Sequence, residues 1–106
     1  MIGQYDVFLV ALDPTLGHEI KKTRPCAILS PDEMNRHLAT VMIAPMTTKS
    51  QPYPTRVSVR FARTPGWVVL DQIRTVDKKR LIRRLGRLES RAISSIKSVI
   101  QEMLVD

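Results

Sequence analysis

The sequence predicts a mainly β fold of class α+β: a compact β-barrel with a short internal helix and a C-terminal amphipathic helix. Five or six short apolar runs follow one another closely, with turn residues between them, which is typical of a small barrel. After Glu89 the apolar residues adopt helical spacing. The length of 106 residues suits one domain spanning residues 1–106 and is too short for two.

The first third of the chain alternates apolar runs with turn residues. Residues 5–12 are apolar on both faces and predict a central strand. Asp13-Pro14-Thr15-Leu16-Gly17 predicts a turn, and the polar residues 17–24 predict a loop. Residues 26–30 then predict a second buried strand.

A short helix and a third strand follow. Ser30-Pro31-Asp32-Glu33 is a capping box with proline at the first helical position, so we expect a helix that ends near His37. Residues 40–44 predict a strand that Pro45 closes. Residues 51–54 contain two prolines, which cannot donate to a strand ladder, and therefore predict an extended or turn segment.

The second half predicts two more strands and the terminal helix. Residues 55–61 alternate polar and apolar and predict a half-buried strand with a basic outer face. Thr64-Pro65-Gly66 predicts a turn into a buried strand at residues 67–70. Residues 83–88 fit a short strand or a helical turn equally. The final helix presents one apolar face, formed by Ile93, Ile96, Ile100, Met103 and Leu104.

The positive charge is concentrated in the second half of the chain. The net charge is +7, residues 1–50 are neutral overall, and seven basic residues fall between Lys78 and Arg91. Such a focused field attracts a phosphate polymer or an acidic protein partner by long-range steering. The alternative is a solvated basic face that only aids solubility.

The composition argues against a disordered or membrane-spanning chain. Apolar residues make up 43% and charged residues 25%, as in ordinary soluble domains. No apolar run approaches the roughly 20 residues that span a bilayer. The N-terminus has no basic region before an apolar stretch, so we expect no secretion signal and a cytoplasmic protein without membrane attachment. Cys26 cannot form an intrachain disulfide and is predicted to be a core residue.

Three segments place polar side chains where predicted strands begin or end: Thr23-Arg24-Pro25, Pro45-Met46-Thr47-Thr48-Lys49 and Asp71-Gln72-Ile73-Arg74-Thr75. If they converge, they bring together a guanidinium, hydroxyls and a carboxylate. Buried polar groups without partners cost several kcal/mol, so such a set suits a site better than a core. A forked guanidinium grips phosphate oxygens, and a carboxylate moves protons.

Each candidate residue also has a structural interpretation. Arg24 could pair with Glu19, and Thr47 and Thr48 could cap a turn with their hydroxyls. Asp71 could form an ion pair with Arg74.

The two histidines are weighed in the same way. His18 could act as an acid or base, although loop histidines are usually solvated. His37 has no second metal ligand at suitable spacing, so a zinc site is not expected.

The sequence also lacks a glycine-rich phosphate cradle, a Gly-x-Ser-x-Gly motif and an acidic cluster suited to magnesium. We therefore expect any nucleic-acid cleavage to need neither metal nor cofactor.

Taken in order, these residues resemble the MazF/PemK (Kid) family of bacterial toxins over essentially the whole chain. The matching segments include Leu12-Asp13-Pro14-Thr15-Leu16-Gly17-His18-Glu19 and Thr23-Arg24-Pro25-Cys26-Ala27-Ile28-Leu29-Ser30-Pro31. They continue at Asn35, at Ala44-Pro45-Met46-Thr47-Thr48-Lys49, at Tyr53-Pro54 and at Leu70-Asp71-Gln72-Ile73-Arg74-Thr75-Val76-Asp77. The Asp-Pro-Thr-x-Gly, Arg-Pro and Pro-x-Thr-Thr blocks are specific in combination.

The resemblance implies an SH3-like barrel, a homodimer, cleavage of single-stranded RNA at short motifs, and inhibition by an antitoxin with an acidic, disordered tail. It implies that Arg24 is the catalytic arginine and Thr47 the catalytic threonine. His18 and Asp71 match positions implicated in the Kid branch, where the aspartate is the proposed base. The proposed acid of that branch, an arginine, is replaced here by Val69.

An RNA substrate would be held by residues around the three segments and read by stacking on aromatic rings. The predicted stacking platforms are Trp67, Tyr53 and Phe61. The predicted RNA-binding residues are Glu19, Lys21, Lys22, Thr48, Lys49, Tyr53, Gln72 and Arg74.

Two other functions fit the sequence. One is a non-enzymatic toxin that binds DNA gyrase, as the CcdB toxin of this fold does. The other is a basic barrel that binds nucleic acid through residues 78–91. In that case nucleic-acid binding would persist when Arg24 is removed.

Overall fold

Seven strands and two α-helices form the described part of the chain, residues 1–12 and 22–105 of a computed structural model. The strands are β1 (Asp6–Ala11), β2 (Thr23–Ile28), β3 (Thr40–Thr47), β4 (Arg56–Phe61), β5 (Thr64–Val69), β6 (Arg74–Asp77) and β7 (Leu81–Arg87). The helices are α1 (Asp32–His37) and α2 (Ser90–Ile100). Short 3-10 turns, Leu70–Gln72 and Lys78–Arg80, flank β6, and a π-helical turn, Gln101–Val105, extends α2. The predicted mainly β fold with two helices is confirmed, while the turn predicted at residues 13–17 lies outside the described residues.

The strands form an antiparallel sheet in the order β4-β5-β3-β2-β1-β7, and β6 pairs with β3 beside β5. Strand β3 is the centre of this sheet. It pairs with β6 through Ile43 and with β5 from Met46 onward. This change of partner allows the sheet to bend into a half-barrel. The stretch at residues 83–88, which the sequence left open, lies largely in β7 and pairs with β1 through two register shifts.

The prediction that Pro45 closes the third strand is wrong, because β3 runs on to Thr47. Pro45 lies opposite Cys26 of β2. On the other side of the strand it falls in the gap between the β6 and β5 pairings. A missing backbone N–H costs least where the ladder is interrupted.

The predicted turn at Thr64-Pro65-Gly66 is also wrong, because these residues open β5 and pair with β4. The hairpin turns instead at Ala62 and Arg63, with φ values of 50° and 66°. Such left-handed conformations at both central residues match the right-handed twist of the flanking strands. Neither alanine nor arginine signals this turn, so the sequence pattern pointed to the proline and glycine that follow.

Helix α1 lies where it was predicted, but the capping box does not form. The N-cap is Pro31, and no side chain caps the helix there. The Ser30 hydroxyl instead donates to Asn35 Oδ1 at 2.5 Å and accepts from the Met42 N–H at 3.0 Å. Ser30 thereby ties α1 to β3, and both Ser30 and Asn35 are buried.

Apolar residues pack against both faces of the central strands, as the sequence predicts for β1 and β2. On one face the apolar side of α2, with Ala92 and Ile96, covers Val7, Ala27, Ala44 and their neighbours. On the other face a second cluster contains Phe8, Val10, Cys26, Ile28, Val41, Ile43 and Val76. Cys26 is buried, as predicted. In the described part of the chain, no helix is long and apolar enough to cross a membrane.

Candidate active site

A cleft opens where β2 begins, β3 ends and the β4–β5 hairpin turns over them. Its volume is about 140 Å³. The residues that line it come from four strands and are Arg24, Pro25, Met46, Thr47, Thr48, Val59, Phe61, Thr64, Pro65, Gly66 and Trp67. Two of the three predicted segments, those of Arg24 and Thr47, therefore converge in one place.

Neighbouring strands bring Arg24 and Thr47 to the same end of the sheet. Cys26 lies opposite Pro45 in the β2–β3 pair, and Arg24 and Thr47 each lie two residues beyond this pair, at the start of β2 and the end of β3. Both residues are half-buried, and both line the cleft. A permanently charged fork and a hydroxyl on one wall are suited to hold the oxygens of a phosphodiester.

The Thr47 hydroxyl also organises the chain that follows it. It accepts a hydrogen bond from the Lys49 N–H and donates one to the Lys49 carbonyl, both at 3.2 Å. The turn-capping interpretation of this threonine is therefore realised. It does not remove the hydroxyl from the cleft, since a hydroxyl proton rotates and can be redirected to a bound anion. Thr48 and Lys49 continue along the rim as exposed residues.

Aromatic and apolar side chains form the remaining walls. Phe61 and Trp67, two of the predicted stacking platforms, line the cleft, and Trp67 lies opposite Thr47 in the β3–β5 pair. Such walls suit unstacked bases, because every base has a π-face. Tyr53, the third predicted platform, is not among the lining residues. It is 52% exposed, and its ring centre lies 4.9 Å from the Arg56 guanidinium carbon.

Gly66 shapes the cleft in a way that sequence reasoning missed. A Cβ atom at this position would lie 2.9 Å from the Thr47 carbonyl oxygen, closer than packed atoms come. The glycine therefore lets β5 approach the end of β3 and sets the position of the Thr47 backbone. The sequence signal was present as Pro65-Gly66, but it was interpreted as a turn.

Cys26 lies beneath this end of the sheet. Burial raises the pKa of its thiol to about 12, although the nearby Arg74 and Arg24 guanidiniums act to lower that pKa. The thiol is consequently a neutral packing group, in agreement with the prediction of a core residue. Because both guanidiniums act on the pKa of this thiol, Arg24 and Arg74 both lie near the sulfur.

Asp71 does not line this cleft. Its Oδ1 accepts hydrogen bonds from Arg56 Nε at 3.1 Å and from the Thr55 hydroxyl at 3.0 Å, and its Oδ2 accepts from Arg56 Nη2 at 3.1 Å. The hydrogen bond from Arg56 lowers the pKa of Asp71, and the Thr55 hydroxyl adds to this effect against partial burial. The alternative partner foreseen for Asp71 was Arg74, which donates instead to the Leu12 carbonyl at 3.3 Å.

The remaining predicted residues lie at different places. Lys22 is exposed beside the start of β2 with a φ of 70°, and Gln72 is half-buried in the 3-10 turn after β5. His18, Glu19 and Lys21 lie outside the described residues. Within residues 1–12 and 22–105, no group of three or more His, Cys, Asp or Glu side chains is placed to hold a metal ion.

The lowered pKa of Asp71 makes stability depend on pH. In the unfolded chain the carboxyl titrates near its ordinary value of about 3.9. Between the lowered folded pKa and that value the unfolded state binds more protons, so stability rises with pH there. We expect Asp71→Asn to lower the free energy of unfolding above about pH 5, with the difference shrinking as pH falls through the folded pKa. Urea titrations of wild type and Asp71→Asn from pH 2 to 7 measure this difference in the free energy of unfolding. Asp77→Asn serves as the control, and a pH-independent difference would contradict the ion pair.

Comparisons with known proteins identify the family of this chain. A family model described as PemK-like, MazF-like toxin of type II toxin–antitoxin system matches residues 3–104. The Endoribonuclease MazF of Staphylococcus saprophyticus is 30% identical over 106 residues, 94% of this chain and 88% of that protein.

Solved structures show the same fold. The Mycobacterium tuberculosis toxin MazF-mt6 has a TM-score of 0.77 at 26% identity, covering 92% of this chain and 93% of that one. An endoribonuclease in complex with its cognate antitoxin, from a mycobacterial species, has a TM-score of 0.84 at 24% identity, covering 99% and 96%. The resemblance found in the sequence is thus confirmed, and the chain belongs to the family of PemK-like and MazF-like toxins of type II toxin–antitoxin systems.

Proposed function

We propose that this chain is a cytoplasmic endoribonuclease that cleaves single-stranded RNA at short motifs and thereby stops translation and growth. The observation that carries the proposal is the convergence of Arg24 and Thr47 in a cleft walled by Trp67 and Phe61. A guanidinium and a hydroxyl grip the phosphate, and the rings hold the flanking bases. A protein that only poisons gyrase needs no such phosphate-binding pair.

The reaction uses the substrate's own 2′-hydroxyl as nucleophile. A base, Asp71 or His18, takes the proton of the 2′-hydroxyl while O2′ forms a bond to phosphorus. Arg24 and Thr47 stabilise the charge that develops on the nonbridging oxygens, an effect that is large because the donors are already in place. The bond from phosphorus to O5′ breaks, and an acid, Arg24 or His18, protonates O5′ because Val69 cannot. The products are a 2′,3′-cyclic phosphate and a free 5′-hydroxyl.

The chain's charge fits the regulation of such a toxin. A net charge of +7, concentrated in residues 51–106, attracts an acidic polypeptide as well as RNA. The toxin is a homodimer in this proposal, and a cognate antitoxin with an acidic, disordered tail folds along it and covers the cleft. Ordering such a tail on binding allows it to wrap a large surface.

Cleavage of a long single-stranded RNA in excess EDTA tests the proposal. We expect fragments with 2′,3′-cyclic phosphate and 5′-hydroxyl ends, and no cleavage of an oligonucleotide with one 2′-deoxyribose at the mapped site. Cleavage that requires added Mg²⁺ or leaves 5′-phosphate ends would contradict the mechanism. Intact RNA with folded protein would instead favour a gyrase-binding toxin, which inhibition of DNA supercoiling would reveal.

A further inference from the structure

Arg56 contacts three side chains, those of Asp71, Ser50 and Tyr53, although its sequence position on the basic outer face of β4 gave no sign of this. Its Nε and Nη2 donate to the two oxygens of Asp71 at 3.1 Å. Its Nη1 donates to the Ser50 hydroxyl at 2.8 Å. Its guanidinium also lies 4.9 Å from the centre of the Tyr53 ring. The Arg56 side chain is 19% exposed, so these contacts are partly shielded from water.

These contacts fix the segment that connects β3 to β4. Arg56 holds Ser50 near the start of this segment and Tyr53 in its middle, while Thr55 at its end donates to Asp71. The segment contains few backbone hydrogen bonds of its own, so side-chain contacts determine its position. The anchor is Asp71, in the turn that follows β5.

The same segment begins at the cleft. Thr47 lines the cleft, and its hydroxyl holds both the N–H and the carbonyl of Lys49. Lys49 precedes Ser50, which Arg56 holds. The cleft wall is therefore connected to Arg56 and Asp71 by the hydrogen bonds of Thr47 to Lys49, the peptide bond from Lys49 to Ser50, and the hydrogen bonds of Arg56 to Ser50 and Asp71. A displacement at the Asp71 end is transmitted to the rim where RNA would enter.

Both carboxylate oxygens of Asp71 already accept hydrogen bonds from these residues. Oδ1 accepts two hydrogen bonds and Oδ2 accepts one, all from the β4 side. Because Arg56 also lowers the pKa of this carboxyl, its ionised form is a weaker base than a free aspartate. Asp71 is also not one of the residues that line the cleft.

We infer that Arg56 and Asp71 form a clamp that positions the β3–β4 segment for selection of the RNA motif, and that Asp71 does not accept the proton of the 2′-hydroxyl. The inference rests on the proposed function and narrows it, since it leaves His18 as the base among the candidates. Arg56 and Asp71 are positioning residues that act through the segment they hold. The segment, in turn, presents Lys49, Ser50 and Tyr53 to bases beside the cleaved bond.

Arg56→Ala, Asp71→Asn and the double variant test the clamp on an oligoribonucleotide with the mapped motif and on versions with flanking bases changed. We expect all three to raise KM for the preferred motif about tenfold, the effect of losing one charge-assisted hydrogen bond. Discrimination between motifs should fall equally in the three, because either single change opens the clamp. The kcat and its pH profile should stay within about twofold of wild type.

Arg60→Ala is the matched control. Arg60 lies four residues further along β4 on the same face and is exposed. Its loss removes the same charge without touching the clamp, so KM and motif preference should match wild type. Arg56→Lys should restore part of the preference, because it restores the charge and a single hydrogen bond but not the fork.

Amide hydrogen exchange provides a readout that needs no RNA. The amides of residues 49, 53 and 56 are hydrogen-bonded within the segment and should exchange faster in Arg56→Ala and Asp71→Asn than in wild type or Arg60→Ala. Unchanged exchange in both variants would overturn the clamp. If Asp71→Asn lost about 100-fold or more in kcat while Arg56→Ala stayed near wild type, Asp71 would be the base. That result would overturn the inference that Asp71 does not accept the proton of the 2′-hydroxyl. Wild-type protein that cleaves no RNA would overturn the proposed function instead, and amide exchange would then decide the clamp by itself.

Discussion

Arg24→Ala should lower the kcat for RNA cleavage by about 10³-fold while leaving the protein folded. The guanidinium lies in the cleft with Thr47 and is the one permanent positive charge among the lining residues that the structure describes. Removing one preorganised donor from a developing oxyanion costs about 10²–10³ in rate, and a charged bidentate donor belongs at the upper end. Single-turnover cleavage of an oligoribonucleotide measures the effect, and circular dichroism with urea unfolding checks the fold.

Two further variants make this result specific. Arg24→Lys keeps the charge but not the planar fork, so it should recover only part of the rate. Arg36→Ala removes an equal charge from exposed α1, outside the cleft, and should cleave like wild type. Near-normal cleavage by Arg24→Ala would show that Arg24 does not stabilise the transition state.

Gly66→Ala should damage both the fold and the site. The added methyl group would lie 2.9 Å from the Thr47 carbonyl oxygen, and that atom belongs to the backbone of the central strand, which cannot rotate away. Overpacking of this kind costs about 1–3 kcal/mol in the free energy of unfolding. A shift of about 1 Å at a site can cost about 10²-fold in rate, so we expect cleavage to fall by that order.

Comparison with Ser58→Ala separates the two effects of this glycine. Ser58 is exposed and lies opposite Trp67 in the same strand pair, and its loss leaves the β3–β5 contact unchanged. Urea unfolding and cleavage kinetics on both variants measure the effects. A Gly66→Ala protein with wild-type stability and rate would show that β5 can move away from β3 without consequence for Thr47.

The spacing of apolar residues predicted those strands and helices that form mainly because one face must be buried. Strands β1 and β4 and helix α2 appear where the sequence placed them, because alternate or helically spaced apolar residues must face a core. The boundaries at Pro45 and at Thr64–Gly66 were wrong because both depend on contacts distant in sequence. Pro45 is tolerated in a gap between two pairing partners, and Gly66 is required by a carbonyl nineteen positions earlier in the chain.

The convergence of Arg24 and Thr47 in one cleft was predictable from the sequence, because polar groups at strand ends are unusual and the strands that carry them are neighbours. The surroundings of Asp71 were not found, since its partner is fixed by the register of β4 with β5, in which Arg56 lies opposite Val69. That register places the guanidinium two residues from the carboxylate across the sheet. No local pattern in the sequence specifies such a pairing.

The buried thiol of Cys26 has a consequence for the chemical environment in which this protein can work. Burial raises the pKa of this thiol to about 12, so the thiol is protonated at neutral pH, and the side chain is buried. Oxidants and alkylating agents react with exposed thiolates, so they find no target here in the native state. The native protein can therefore be labelled with a thiol reagent only after it has opened, so the rate of Cys26 modification would report how often this part of the core unfolds.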